Sequence, residues 1–133
     1  MKNMICLTLG SFILSFATLA AATPLPDSPA IKRDNVVYIS GQGGGTVGVP
    51  DNHGAAIAEA FESLSQIARA NGGSLDDIVK MDVYLANLPK DFDMLNTVEA
   101  RYFHSYPART VVGAVIPKKH TVEINAIMVL PNA

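Results

Sequence analysis

The sequence predicts an α+β fold, a two-layer sandwich in which two helices cover one face of a mixed sheet. Three observations predict it. Apolar side chains recur at helical spacing in two separate segments, 56–68 and 92–103. Runs rich in β-forming residues surround them, at 36–39, 81–85, 110–116 and 121–130. The resulting order is β-(loop)-α-β-α-β-β, with room for a short strand near Val47. Two helical stripes supply apolar surface for one sheet face only, whereas the last two strand segments read as apolar on both. The uncovered face is therefore expected to be closed by self-association.

The start of the chain stands apart. Residues 1–22 hold one charged side chain, Lys2, ahead of an uncharged, largely apolar run over 4–19 that contains Phe12, Ile13, Leu14 and Phe16. Ala20-Ala21-Ala22 supplies small residues for a cut before Thr23. This segment reads as a secretory signal peptide, an uncleaved anchor being the other reading, and Pro24 and Pro26 stop any helix from running on. Residues 23–133 then form a single domain, periplasmic or secreted, with no membrane association after cleavage. Removing 22 of 133 residues leaves 111, enough for one core without disulfides. The leader also takes Cys6, the one cysteine, and with it any thiol nucleophile or ligand. With 10 Lys and Arg against 12 Asp and Glu, net −2, the chain lacks the basic surface that nucleic-acid binding needs.

Within the body, 31–40 reads as one strand carrying Val36-Val37-Tyr38-Ile39. It is expected to end at Gly41-Gln42-Gly43-Gly44-Gly45, because adjacent glycines weaken a strand interior. That loop matches neither G-x-x-x-x-G-K-S/T nor G-x-G-x-x-G with an acidic partner, so a plain loop is expected rather than a phosphate cradle. Asp51 or Asn52 caps a helix whose apolar positions are Ala56, Ile57, Ala60, Phe61, Leu64, Ile67 and Ala68. Asn71-Gly72-Gly73 ends it. Met81, Val83 and Leu85 alternate with Lys80, Asp82 and Tyr84 as in a strand. Leu88-Pro89-Lys90-Asp91 opens a second helix with Phe92, Leu95, Val98, Tyr102 and Phe103 at helical spacing, ended by Pro107. Residues 110–116 and 121–130 are strands joined by a turn at 117–120, an arrangement expected to set them side by side as a hairpin.

Few residues carry chemistry. His53, His104 and His120 have no metal-pair spacing and read as surface or cap residues, so no metal site is expected. Ser40-Gly41 lies at a strand end, where a hydroxyl can face a pocket. The informative pair is Arg109, at the entrance to a strand in Pro107-Ala108-Arg109-Thr110, and Glu123, which interrupts the apolar run Val122-Glu123-Ile124. A carboxylate there must face water, pair with a cation or line a cavity. A structural ion pair or two solvated side chains is one reading. In the other, the guanidinium holds a ligand carboxylate with two parallel hydrogen bonds and the glutamate takes a proton from water.

Five segments in order and spacing resemble the YjgF/Rid family of reactive intermediate deaminases, also called the translation-inhibitor family. They are Val37-Tyr38-Ile39-Ser40-Gly41-Gln42; residues 70–80, with Asn71-Gly72-Gly73; Asp91-Phe92 with Asn96; Pro107-Ala108-Arg109-Thr110; and Val122-Glu123-Ile124. The resemblance spans about residues 30–127. It implies the chorismate-mutase-like sandwich, assembled as a homotrimer with a central barrel and clefts between subunits. It implies that Arg109 binds a substrate carboxylate and Glu123 positions water, with Ser28, Ser40, Gly41 and Asn96 as further substrate contacts. The implied reaction is hydrolysis of 2-aminoacrylate- or 2-iminobutanoate-type imines to 2-keto acids and ammonia, without a cofactor. Where active members carry G-P-Y-S-Q, this chain has Leu25-Pro26-Asp27-Ser28-Pro29, so Asp27 replaces a cleft tyrosine. Two other functions stay open beside imine hydrolysis: a non-catalytic trimer that binds small carboxylates, and a hydrolase for a larger imine or amide.

Overall fold

The computed structural model describes residues 26–48 and 52–131. The expected leader, Thr23, and the Pro50-Asp51 helix entry lie outside the described residues. The elements are β1 (Ala30–Arg33), β2 (Val36–Gly44), α1 (His53–Ala70), β3 (Ile78–Leu85), α2 (Leu88–Glu99), β4 (Ala108–Gly113) and β5 (Val122–Val129), with short 3-10 turns at Leu75–Asp77 and Pro117–Lys119. They form the predicted α+β sandwich, with both helices on one face of a five-stranded mixed sheet ordered β1-β2-β5-β3-β4. The β3–β4 pair is parallel and the others are antiparallel.

Local chemistry explains most elements. The Asn52 side chain accepts from the Ala55 N–H at 3.1 Å and starts α1. Its stripe, Ile57, Ala60, Phe61, Leu64 and Ala68, is buried in one core with Val37, Ile39, Met81, Val83, Ile124 and Met128, and Ala56 is buried beside Gly44 and Gly45. Burying each large side chain of this kind is worth about 1.5–3 kcal/mol. Asn87, rather than the 88–91 segment itself, caps α2, accepting from the Lys90 N–H at 3.3 Å. This helix stops at Glu99, eight residues before Pro107. Tyr102 and Phe103 belong to the following turn and pack on Phe61, with ring centroids 5.3 and 5.6 Å apart. Phe92, expected in the apolar stripe, is 40% exposed.

Four expectations are corrected. The single strand at 31–40 is a hairpin, β1 and β2, turned at Asp34-Asn35 with Asp34 at φ 53°. The glycine segment does not end the strand: β2 runs to Gly44, and Gly43 and Gly44 pair with Glu123 and Val122. A Cβ on Gly44 would lie 1.9 Å from the Ala56 carbonyl oxygen of α1, so the missing side chain lets helix and sheet touch. Residues 108–113 and 122–129 are not hairpin neighbours, because β3 lies between them. Val47 lies in a turn, its N–H donating to the Lys119 carbonyl at 2.7 Å, and forms no strand.

Gly44→Ala should destabilise the protein by about 2–3 kcal/mol, because the added methyl meets helix backbone that cannot move aside. Gly41→Ala should cost much less, since there the methyl meets only the flexible Glu123 carboxylate. Urea unfolding midpoints of the two variants compare them directly.

Candidate functional site

Arg109 lies on β4, an edge strand. Its register partner is Met81, which is fully buried on the helix-covered face. The side chain therefore reaches toward α2. Nη1 donates to the Glu99 carboxylate, and Nη2 donates to Asn96 Oδ1 at 2.9 Å. The guanidinium also stands 5.9 Å from the centre of the exposed Phe92 ring, a cation–π distance. Asn96, Glu99, Tyr106, Pro107 and Arg109 line an open cleft of about 360 Å³. The i, i+3 spacing of Asn96 and Glu99 places both on one side of α2. Glu99 was not foreseen, since a glutamate on a helix is ordinarily solvated; only its position three residues after Asn96 signals it. Its side chain is 5% exposed, and burial pushes its carboxyl above the usual range, against the downward pull of Arg109.

Glu123 belongs to a different place. It pairs with Tyr84 on β3, both half-buried, while the next pair on the same strands, Ile124 and Val83, is buried in the core. Side chains alternate across a sheet, so Glu123 projects from the face the helices leave bare. Its Oε1 lies over Gly41, 2.3 Å from where a Cβ would stand. Ser40, beside Gly41, is tied to the segment before β1: its hydroxyl donates to the Ser28 carbonyl at 2.5 Å, and its N–H to the Pro29 carbonyl at 3.0 Å. Asp27 is exposed next to Ser28.

The structure thus sorts the expected site residues into two groups. Arg109 and Asn96 meet on the helix-covered side of the sheet edge. Glu123, Gly41, Ser40 and Ser28 gather at the bare face near the end of β2. Two inter-strand steps, about 9–10 Å, and the sheet itself separate the groups within one chain.

Other polar clusters hold none of these residues. A cleft of about 570 Å³ beside the starts of α1 and α2 is lined by His53, Lys90, Asp91 and Arg101, among others, with the buried Asp91 carboxylate 2.5 Å from His53 Nδ1. His104 is exposed, and its N–H and ring hold the Asp76 carboxyl below its ordinary value. Among the described residues no three His, Cys, Asp or Glu side chains are grouped as a metal site. No helix among them is long and apolar enough to cross a membrane.

Comparison with known proteins agrees with this architecture. The sequence profile of the family described as Endoribonuclease L-PSP matches residues 17–130. A Dermatophagoides farinae protein named 2-iminobutanoate/2-iminopropanoate deaminase is 35% identical over 121 residues, covering 86% of this chain and 94% of the relative. The mouse protein of the same name is 34% identical over 122 residues, covering 84% and 87%. Among solved structures, RidA from an Antarctic Psychrobacter superposes with a TM-score of 0.72 at 37% identity, covering 82% of this chain and 92% of that one. Escherichia coli TdcF with bound serine superposes at 0.73 and 29% identity, covering 82% and 91%.

The Glu99 carboxyl titrates higher in the folded than in the unfolded chain. Its contribution to stability is therefore fully present below the ordinary glutamate value of 4.5 and is lost as pH rises through the raised folded value. Glu99→Gln should flatten the stability–pH curve just above pH 4.5, read as urea midpoints across that window.

Proposed function

The chain belongs to the Endoribonuclease L-PSP family, the YjgF/Rid family, and on that premise we propose that it hydrolyses small reactive imines of 2-keto acids in clefts between its own subunits. The observation that carries this reading is an arginine facing an open cleft on an edge strand, with donors to spare. A guanidinium has five N–H groups, and Arg109 directs Nη1 to Glu99 and Nη2 to Asn96. The remaining N–H groups suit a ligand carboxylate, held in the fork geometry that lysine lacks. Serine, bound in the E. coli TdcF structure, is a ligand of this size and charge.

Arg109 and Glu123 leave opposite faces of one sheet, so a single small substrate can meet both only if they come from different copies. A homotrimer supplies such an arrangement. Two features support it: the outer edge of β4, unpaired among the described residues, and the face opposite the helices, with Tyr38 and Val112 exposed beside half-buried Val36, Ile127 and Val129. In the cleft the substrate carboxylate lies on Arg109 and water lies by Glu123. Water oxygen bonds to the imine carbon while Glu123 takes a proton. The hydroxyl proton then passes to nitrogen, the carbon–nitrogen bond breaks with its pair on nitrogen, and Glu123 returns its proton to the departing ammonia, so that a 2-keto acid and ammonium leave. A protonated imine is electrophilic enough to need positioning and proton transfer alone. Nuclease chemistry is not favoured, because net charge −2 offers little to a phosphate backbone. We also propose export through the 1–22 leader.

Three measurements test these readings. With 2-iminobutanoate generated in situ, wild type should consume imine far faster than Arg109→Ala or Glu123→Gln; equal rates for wild type and Arg109→Ala would refute the deaminase assignment. Arg109→Ala and Glu123→Gln chains, unfolded and refolded together at 1:1, should regain about a quarter of wild-type activity if each cleft is shared between two chains, whereas no recovery would place both residues in one subunit. Intact mass of protein recovered outside the cytoplasm should correspond to a chain beginning at Thr23; a chain retaining residues 1–22 would overturn the cleavage.

A further inference from the structure

His120 was expected to be a surface or cap residue, and its position is more constrained than that. Two consecutive lysines in the left-handed region, Lys118 at φ 57° and Lys119 at φ 59°, turn the chain just before it. Such conformations disfavour residues with a Cβ and persist where the surroundings enforce them. Val47 helps, donating its N–H to the Lys119 carbonyl at 2.7 Å. The imidazole is thereby laid over β2. Nδ1 lies 3.0 Å from the Gly45 carbonyl oxygen, so Nδ1 carries a proton and donates it there. The far edge of the ring covers Gly43: a Cβ on that glycine would stand 2.4 Å from Cδ2 and 2.7 Å from Nε2.

Gly43 is the register partner of Glu123. Cross-strand partners present the same face, so the imidazole and the Glu123 side chain lie on the same bare face. The carboxylate leans over Gly41 and the imidazole over Gly43, two residues and about 6–7 Å apart along the strand. Any side chain at 41 or 43 would displace one of the two groups. The glycines thus seat an acid and a base side by side, with Nε2 directed away from the Gly45 contact. Titratable neighbours include Lys118 and Lys119 on the ring's own turn, Tyr84, which pairs with Glu123 from β3, and Glu59 of α1, whose carboxylate accepts from the Gly45 N–H at 3.0 Å; Ala86, Ala114, Val115 and Ile116, which line a pocket together with the ring, carry no charge.

The geometry points to His120 as the proton donor to the leaving nitrogen, working beside Glu123 in the same cleft. This rests on the imine-hydrolysis reading and deepens it. Water adds to the iminium carbon, the π pair moves to nitrogen, and Glu123 takes the proton from water. His120, protonated on both nitrogens, gives its Nε2 proton to the carbinolamine nitrogen. The carbon–nitrogen bond breaks with its pair on nitrogen, and the hydroxyl proton returns to His120. Ammonia takes the remaining proton from Glu123. Iminium and water have become keto acid and ammonium, and both side chains are restored.

The test combines turnover, rescue and ligand contact in the full-length protein. His120→Gln should lower kcat for imine hydrolysis by about 100-fold, with KM changed by less than about threefold. Gly43→Ala, which pushes the ring aside without removing it, should lower kcat in the same direction. His120→Ala should recover activity when imidazole is added, which a packing role would not produce. In wild type, the His120 ring NMR signals should shift saturably on titration with 2-ketobutanoate, and should not shift in Arg109→Ala. Undiminished kcat in His120→Gln, no imidazole rescue, or ring signals unmoved while calorimetry records keto-acid binding would each overturn the role of His120 and leave imine hydrolysis standing. Wild type that neither turns over imine nor binds keto acid would overturn both.

Discussion

The placement of β3 between β4 and β5 governs what this molecule can do with its charged groups. Because β3 pairs parallel with β4, the two must be joined by a crossover, and α2 is that crossover. The helix lies over the face toward which Arg109 projects, so the guanidinium meets Asn96 and Glu99. The antiparallel β3–β5 pairing sets Glu123 opposite Tyr84 on the other face. The sheet itself thus keeps Glu123 and Arg109 apart within one chain, and the proposed reading, in which one ligand meets both, assigns bringing them together to association between chains.

Glycine at the end of β2 does a second job that a loop could not. At Gly44 the missing side chain lets the α1 backbone rest directly on the strand. At Gly41 and Gly43, on the opposite face, it makes room for the Glu123 carboxylate and the His120 ring. One short segment therefore allows close packing on the covered side and seats polar groups on the bare side. The loss of β propensity is offset by helix–sheet contact and by pairing with Glu123 and Val122.

The Arg109–Glu99 pair shows two opposing electrostatic effects at one position. Burial raises the Glu99 carboxyl and the guanidinium lowers it, with burial the larger. The acid is held there by Arg109 and in turn fixes the orientation of the fork toward the cleft. Phe92 completes this arrangement. Its exposure would be wasteful in a core stripe, but it places an aromatic face at 5.9 Å from the guanidinium.

Much of this was legible from local pattern. The spacing of Ala56, Ile57, Ala60, Phe61 and Leu64 determined α1 and its buried face, and the Asp51-Asn52 pair marked its start, which the structure gives to Asn52. Alternation at Met81, Val83 and Leu85 determined β3. The segments around Ser40, Asn96, Arg109 and Glu123 singled out the residues of the proposed site. These signals are local, since helical and strand periods and caps are set by neighbours a few residues away. Tertiary structure alone decided the rest. Residues 110–116 and 121–130 are separated by a short turn, yet they do not pair, because β3 gains more by inserting between them and burying Val83 and Ile124 in one core. Glu99 and His120 acquired partners in the same way, from residues brought close only when the sheet and α2 assembled.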